Sequence, residues 1–222
     1  MEDTKSVLIV ATGYPRIDPQ HPTGLWFEEF AVPYECIVEA GFLATVASIK
    51  GGKVPIDPRS LPENQETMAV KGPMAALQHT QRLMDVDVTE YDAVFFPGGH
   101  GTMFDFPHSR EVAELVSHYM AQGRPVAAVC HGPAALIKAK YPSGIAVVKG
   151  RKLTAFSNEE ERAVRLDALM PFLLEDKLRD LDAEVQVAPR WQPHVVVDGN
   201  LITGQNPQSS LKTAEALLQA IG

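Results

Sequence analysis

Cysteine is scarce in this chain of 222 residues, which contains only Cys36 and Cys130. Two cysteines cannot build a disulfide framework, so the fold must be held by its apolar core, and the cytosol is the expected compartment. The residues before the first apolar run, Met-Glu-Asp-Thr-Lys, are few and acidic. We therefore expect no signal peptide.

Positive charge is also in short supply, with 20 Lys and Arg against 28 Asp and Glu and a net charge of −8 at pH 7. Nucleic acids and anionic membranes need a basic face, so neither is an expected partner. No apolar run approaches the length of about 20 residues that spans a bilayer. The histidines and cysteines form no His-x-x-x-His or Cys-x-x-Cys spacing, and we predict neither a metal nor another cofactor.

Short apolar runs and amphipathic stretches alternate along the chain. The predicted buried strands cover residues 6–11, 44–49, 91–97 and 126–129, and the clearest helices cover residues 24–40 and a stretch that ends at Gly123. A hairpin is predicted over residues 195–203, with Asp198-Gly199 in its turn. Near-continuous apolar strands between helices indicate an α/β fold with a mostly parallel, doubly wound sheet and helices on both faces.

Residues 51–90 are the least regular part of the sequence. Glycine and proline are frequent up to residue 65, and a helix is predicted around Ala75 to Met84. Two interpretations remain open for this stretch: a small cap or insertion over the site, or a decorated connection between strands.

Cys130 occupies the most informative position in the chain. It directly follows the apolar run Val126–Val129, and a helical pattern begins after it, so its sulfur should lie at the carboxyl end of a strand. The small neighbours Ala128 and Gly132 allow the sharp turn of a nucleophile elbow. A helix N-terminus and the adjacent His131 would favour the thiolate, and we expect a lowered pKa for Cys130. A buried cysteine that only packs is the structural alternative.

A second glycine-rich turn, Gly98-Gly99, follows the predicted strand at 91–97. Its backbone N–H groups, with that of His131, could hold an oxyanion, although a tight turn alone would also explain the glycines. His100 and the two tryptophans of the chain are candidates for lining the same pocket.

These segments together resemble a known family. Ala-Val-Cys-His-Gly-Pro around Cys130 and Pro-Gly-Gly-His-Gly at 97–101 are similar to the PfpI superfamily, which has the class I glutamine-amidotransferase-like fold. Thr-Gly-Leu-Trp-Phe-Glu-Glu at 23–29 and Thr-Gly-Gln-Asn-Pro at 203–207 extend the resemblance over nearly the whole chain. It is nearest to the branch of heat-shock chaperones and glutathione-independent glyoxalases (glyoxalase III). The resemblance implies one flavodoxin-like domain over residues 1–222 and a homodimer.

The resemblance also implies a role for Glu29, which matches an acid that relatives place against the catalytic sulfur. A carboxyl beside a thiolate tends to stay protonated, and it could then donate and later move a proton. Glu28 is the alternative acid, and a plain surface glutamate is the structural alternative. Pro33 cannot pair with the carbonyl of Glu29. We therefore expect a kink or a separate first turn that directs Glu29 inward.

In relatives, an acid after the strand that follows the cysteine contacts the catalytic histidine. Here that segment contains Glu159, Glu160 and Glu161, and Asn158 stands where one subgroup carries aspartate. We favour Glu161 as the partner of His131. The structural alternative is a solvated helix start whose acids complement the helix dipole.

The resemblance finally implies an activity. It indicates a cofactor-free glyoxalase that converts a small 2-oxoaldehyde, methylglyoxal or glyoxal, into a 2-hydroxy acid through a hemithioacetal on Cys130, with deglycase or hydrolase side activity. The residues by themselves support only nucleophilic cysteine chemistry on a carbonyl. A holding chaperone or redox sensor remains an alternative, and a large exposed apolar patch would favour it. A cysteine amidohydrolase or peptidase is the third hypothesis, and the adjacency of Cys130 and His131 argues against the amidotransferase type.

Overall fold

The computed structural model describes residues 4–61 and 72–222, and its centre is a seven-stranded sheet. The described strands are β1 Ser6–Ala11, β2 Arg16–Asp18, β3 His21–Pro22, β4 Leu43–Ser48, β5 Gln81–Arg82, β6 Ala93–Phe96, β7 Val126–Val129, β8 Lys152–Leu153, β9 Glu184–Val185, β10 Val195–Asp198 and β11 Leu201–Gly204. The strand order of the seven-stranded sheet is β10-β11-β7-β6-β1-β4-β5, and all neighbouring strands are parallel except β10, which pairs antiparallel with β11. The predicted α/β class with a mostly parallel sheet is confirmed.

Helices cover both faces of this sheet. The described α-helices are α1 Phe27–Glu39, α2 Gly72–Ala76, α3 Thr102–Asp105, α4 Arg110–Gln122, α5 Asn158–Ala163, α6 Leu174–Arg179 and α7 Ser210–Ile221. Helix α4 shows how local chemistry sets the ends: the Ser109 hydroxyl accepts from the N–H of Val112, and Gly123 ends the helix in a left-handed conformation.

The central strand β1 explains why the sheet needs two covers. Its side chains alternate between two apolar clusters: Leu8 and Val10 belong to one, and Val7, Ile9 and Ala11 belong to the other. Helix α4 supplies the first cluster, while α1 and α7 supply the second. Since strand side chains alternate between faces, a strand buried on both sides must be apolar throughout.

The stretch 51–90 differs from the prediction. The helix expected around Ala75 to Met84 is wrong: α2 ends at Ala76, and β5 joins the sheet edge beside β4. Thr80 explains the change, because its hydroxyl pairs with Ser48 and with the carbonyl of Gly52 and so ties the chain to that edge. The part of the predicted loop at residues 62–65 lies outside the described residues.

The sheet brings the expected segments together. Strands β1, β6 and β7 are neighbours, and the residues that follow them, Gly13, Gly98 and Cys130, leave the same edge. In doubly wound sheets this carboxyl edge is where sites form. Among the described residues, none of the helices has both the length and the apolar character needed to cross a bilayer.

Candidate active site

Cys130 lies on a strained turn at the end of β7. Its φ is 59°, a left-handed conformation that non-glycine residues rarely adopt. The turn is held on both sides, because the Cys130 N–H donates to Gly204 and its carbonyl accepts from Phe156, each at 2.9 Å. A Cβ at Gly132 would collide with the carbonyl of Phe96. The elbow predicted from the small neighbours is therefore present.

The segment after Cys130 differs from the expectation. It forms a 3₁₀ helix over Gly132–Leu136 and not an α-helix. Such a short helix offers little dipole to stabilise a thiolate. Burial instead raises the pKa of the Cys130 thiol well above its usual value, and the nearby Glu29 adds to the effect. The lowered pKa that we expected for Cys130 is thus contradicted.

His131 is held between the sulfur and a buried carboxylate. Its Nε2 lies 2.6 Å from Oε2 of Glu161, and its Nδ1 lies 3.4 Å from Sγ of Cys130. Because a carboxylate only accepts, Nε2 carries the proton, and in the neutral ring Nδ1 is free to accept from the thiol. Among the candidates from 158 to 161, Glu161 is the one that contacts His131.

Glu161 serves two histidines. Its other oxygen, Oε1, lies 2.8 Å from Nε2 of His100, whose Nδ1 accepts from Nη2 of Arg59 at 3.4 Å. Burial alone would raise the pKa of Glu161, but His131 and the N–H groups of both rings hold it well below its usual range. Burial and the neighbouring His131 lower the pKa of His100 to about 4, so His100 is neutral at pH 7.

Glu29 reaches the site from the buried face of α1. Helix α1 continues through Pro33, so the separate first turn that we considered is wrong. The side chain of Glu29 is fully buried whereas Glu28 is exposed. Its Oε2 accepts from the N–H of Gly98 at 2.8 Å, and its buried Oε1 has no nitrogen or oxygen partner among the described residues.

Burial raises the pKa of Glu29 to about 8, against the opposing effect of its contacts with the Cys130 thiol and Gly98. At neutral pH the carboxyl is therefore mostly protonated, with Oε1 as the natural place for the proton. Since Cys130 also resists ionisation, the Glu29–Cys130 pair retains at least one proton. The pair can therefore supply a proton at the reacting sulfur.

The glycine turn after β6 only partly matches the expectation. Gly98 is not a free oxyanion donor, because its N–H is already bonded to Glu29. Its lack of a side chain matters for packing: a Cβ would lie 2.6 Å from Oε2 of Glu29 and 2.7 Å from the nitrogen of His131. The N–H groups of Gly99 and His131 donate to none of the described residues and remain available.

A cavity of about 450 Å³ opens in front of the sulfur. It is lined by Trp26, Glu28, Glu29, Arg59, Gly99, His100, Cys130, His131, Phe156, Val164, Trp191, Pro207 and Gln208. The ring of Phe156 packs on His131, with ring centres 4.5 Å apart. Neither Phe156 nor Arg59 is part of a recognisable motif, so the sequence alone does not point to them. Arg59 comes from the 51–90 stretch and is held by two bonds to Asp57.

One group of side chains could also hold a metal ion. His100, His131 and Glu161 each offer a ligand atom, and these atoms lie within 4.8 Å of one another. Both histidine Nε2 atoms now donate to Glu161, so a cation would have to replace two protons. The expectation of a metal-free site stays a prediction.

The chain is similar to known proteins over nearly its whole length. A glutathione-independent glyoxalase of Schizosaccharomyces pombe, hsp3101, is 31% identical over 99% of this chain and 97% of its own length. The crystal structure of glyoxalase III from Candida albicans is 28% identical, with a TM-score of 0.90 over 98% of both chains. The Rapid Encystment Protein of 24 kDa from Francisella tularensis is 36% identical, with a TM-score of 0.93 over 99% of this chain and 100% of that one.

The family model described as DJ-1/PfpI matches residues 26–220. This match spans most of the chain and includes the Cys130 elbow, Glu29 and Glu161. The chain therefore belongs to the DJ-1/PfpI family.

Proposed function

We propose that this protein is a glutathione-independent glyoxalase that converts a small 2-oxoaldehyde, such as methylglyoxal or glyoxal, into a 2-hydroxy acid. The observation that carries the proposal is the position of the Cys130 sulfur between Nδ1 of His131 and the buried carboxyl of Glu29. Isomerising an oxoaldehyde needs a nucleophile and a group that both gives and takes protons, and this site offers both. The names of the S. pombe and C. albicans relatives support the same activity.

The first step adds the sulfur to the aldehyde carbon. His131 Nδ1 accepts the thiol proton, and a C–S bond forms while the aldehyde C=O becomes a single bond. The developing oxyanion faces the free N–H groups of Gly99 and His131 and takes a proton from Glu29. The product is a hemithioacetal on Cys130.

The next steps move hydrogen between the two carbons without any change in overall oxidation state. The carboxylate of Glu29 removes the proton from the carbon that bears sulfur, and protonated His131 gives its proton to the neighbouring carbonyl oxygen, which yields an enediol. The second carbon then receives the proton that Glu29 holds while the first oxygen gives its proton to His131, which leaves a thioester. Water cleaves the C–S bond, releases the 2-hydroxy acid and returns the thiol.

The direct test uses purified protein with methylglyoxal in the absence of glutathione, with lactate as the measured product. We expect lactate in proportion to the methylglyoxal consumed. Loss of methylglyoxal without lactate would indicate simple trapping by protein side chains and would contradict the proposal.

Two further features belong to this proposal. We expect the enzyme to act as a homodimer, which light scattering of the purified protein would measure. We place it in the cytosol, because Cys36 and Cys130 are both free thiols and the mechanism requires one of them to remain reduced.

A further inference from the structure

We propose that Glu160 is a positioning residue, which holds the segment 188–192 over the cavity so that Trp191 forms the wall that contacts the substituent of the substrate. We call residues 188–192 the strap. The attachment of the strap rests on hydrogen bonds in the structure, whereas its contact with substrate rests on the proposed function.

The carboxylate of Glu160 is fully buried and is not exposed to the cavity. Its Oε1 accepts from the N–H of Trp191 at 2.9 Å and from Nδ2 of Asn206 at 2.8 Å. Its Oε2 accepts from the N–H and hydroxyl of Ser157 and from Nε2 of Gln205, at 3.0, 2.9 and 3.2 Å. A buried carboxylate is tolerated only where donors surround it, so this one fixes the groups that it binds.

The strap has further attachments to the same structure. Gln205 pairs with Ala188 through both of its amide atoms, accepting from the backbone N–H at 2.8 Å and donating to the carbonyl at 3.1 Å. Asn206 donates to the carbonyl of Gln192 at 2.9 Å. Glu160 therefore holds the strap at Trp191, and Gln205 and Asn206 hold its two ends.

The backbone of Trp191 shows that the strap needs holding. Its φ is 64°, which is a costly left-handed conformation for a bulky residue. The hydrogen bond from the N–H of Trp191 to Glu160 holds this conformation. Without Glu160, the backbone of Trp191 would return to a favourable φ, and the indole would move away from the cavity.

The indole of Trp191 forms part of the cavity wall in front of Cys130. It lines the cavity, and its ring centre is 5.9 Å from that of Phe156, which packs on His131. A cavity of about 450 Å³ is far larger than methylglyoxal. It therefore has room for a 2-oxoaldehyde with an apolar or aromatic substituent, which would contact this aromatic wall.

The first test measures the strap alone. Trp26 and Trp191 are the only tryptophans, so a Trp26→Phe background makes Trp191 the single fluorescent reporter. In that background, Glu160→Ala should increase quenching of Trp191 by acrylamide. Ser157→Ala is the matched control, because it weakens the cap of α5 but leaves both bonds to Oε1. It should lower the thermal midpoint without changing the quenching.

The second test measures substrate choice with phenylglyoxal and glyoxal, which lacks a substituent. Glu160→Ala should lower kcat/KM for phenylglyoxal by about 10-fold, mainly through KM, since lost apolar contacts have effects of this order. The value for glyoxal should fall by a smaller factor, because glyoxal has no substituent to contact this wall. Trp191→Ala should lower kcat/KM for phenylglyoxal in the same way, and Trp191→Phe, which keeps an aromatic ring, should show a smaller loss. If Glu160→Ala does not fold, Gln205→Ala releases one end of the strap and should act in the same direction.

Two results would overturn the proposal. Unchanged quenching in folded Glu160→Ala and Gln205→Ala would show that they do not hold the strap. An equal loss for both substrates would show that Glu160 acts through its neighbour Glu161 and not through Trp191. A protein that converts neither oxoaldehyde would refute the proposed function and the substrate contact, while quenching would still decide the strap.

Discussion

Replacing Glu29 by glutamine tests the proton-transfer step with the least disturbance of the fold. The carboxyl is mostly neutral at pH 7, because burial raises its pKa to about 8, so a neutral amide matches its charge. The amide oxygen can still accept from the N–H of Gly98, now 2.8 Å from Oε2. The amide group can occupy the place of Oε1, beside the sulfur. What is lost is only the ability to release and recover a proton.

The expected loss of activity in Glu29→Gln follows from the loss of proton transfer alone. General acid–base catalysis by a positioned group contributes about 100- to 10,000-fold, or about 3 to 5 kcal/mol of barrier. We expect kcat for methylglyoxal to fall within this range in Glu29→Gln, while thermal stability stays close to that of the wild type. The assay is steady-state lactate formation without glutathione, with circular dichroism as the check on folding.

Glu28→Gln is the matched control, because Glu28 is adjacent, exposed and at the rim of the same cavity. It should change kcat by less than about 3-fold, since no bond links it to Cys130 or Gly98 among the described residues. If the two substitutions had opposite effects, the acid would be Glu28. If neither mattered, proton transfer would run through His131 alone and our account of Glu29 would be wrong.

Three further predictions concern ionisation and metals. Alkylation of Cys130 should have a pH midpoint above the value of about 8.5 for a free thiol, and Glu29→Gln should lower it; a midpoint below 8.5 in the wild type would contradict the buried, protonated pair. Burial raises the pKa of Asp105 from 3.8 to about 6, so its contribution to stability is present below pH 3.8 and is lost as the pH rises to about 6. Asp105→Asn should therefore raise the free energy of unfolding at pH 7 by about 1–3 kcal/mol and flatten its change between pH 4 and 7, as measured by urea titration; an unchanged pH profile would count against it. Dialysis against EDTA should leave the glyoxalase rate unaltered, whereas a loss that Zn²⁺ restores would show that His100, His131 and Glu161 hold a required metal.

The sequence was sufficient where local chemistry decides the structure. The apolar run before Cys130 and the small residues around it predict both the strand end and the sharp turn. The order of strands and helices predicts the parallel sheet. Glu161 could be favoured over Glu159 and Glu160 only through the family resemblance, since three consecutive glutamates look alike in a sequence.

Other features depend on contacts between distant segments. The raised pKa of Cys130 follows from its burial beside Glu29, a residue of the distant helix α1, and neither fact can be seen in the elbow sequence. The N–H of Gly98 is lost as an oxyanion donor for the same reason. Thr80 draws its segment to the sheet edge by bonds to Ser48 and Gly52, which overrides a local helical pattern.

The contacts of Glu160 with the strap could not be predicted, although Glu160 belongs to a motif that the sequence shows. Ser157 and Glu160 form a capping box, and this spacing is visible in the sequence. The motif predicts a helix start, and it does not predict that the same carboxylate also holds Trp191 and Asn206. That second function depends on how the strap returns over α5.

Cys130 is the residue on which conversion of a 2-oxoaldehyde without glutathione depends. The most direct measurement compares lactate formed from methylglyoxal by the wild type, Cys130→Ala and Cys36→Ala. Cys36 is a half-buried helical cysteine outside the cavity, so it controls for the loss of a thiol. We predict equal lactate from the wild type and Cys36→Ala, and none from folded Cys130→Ala; substantial lactate from Cys130→Ala would contradict the account.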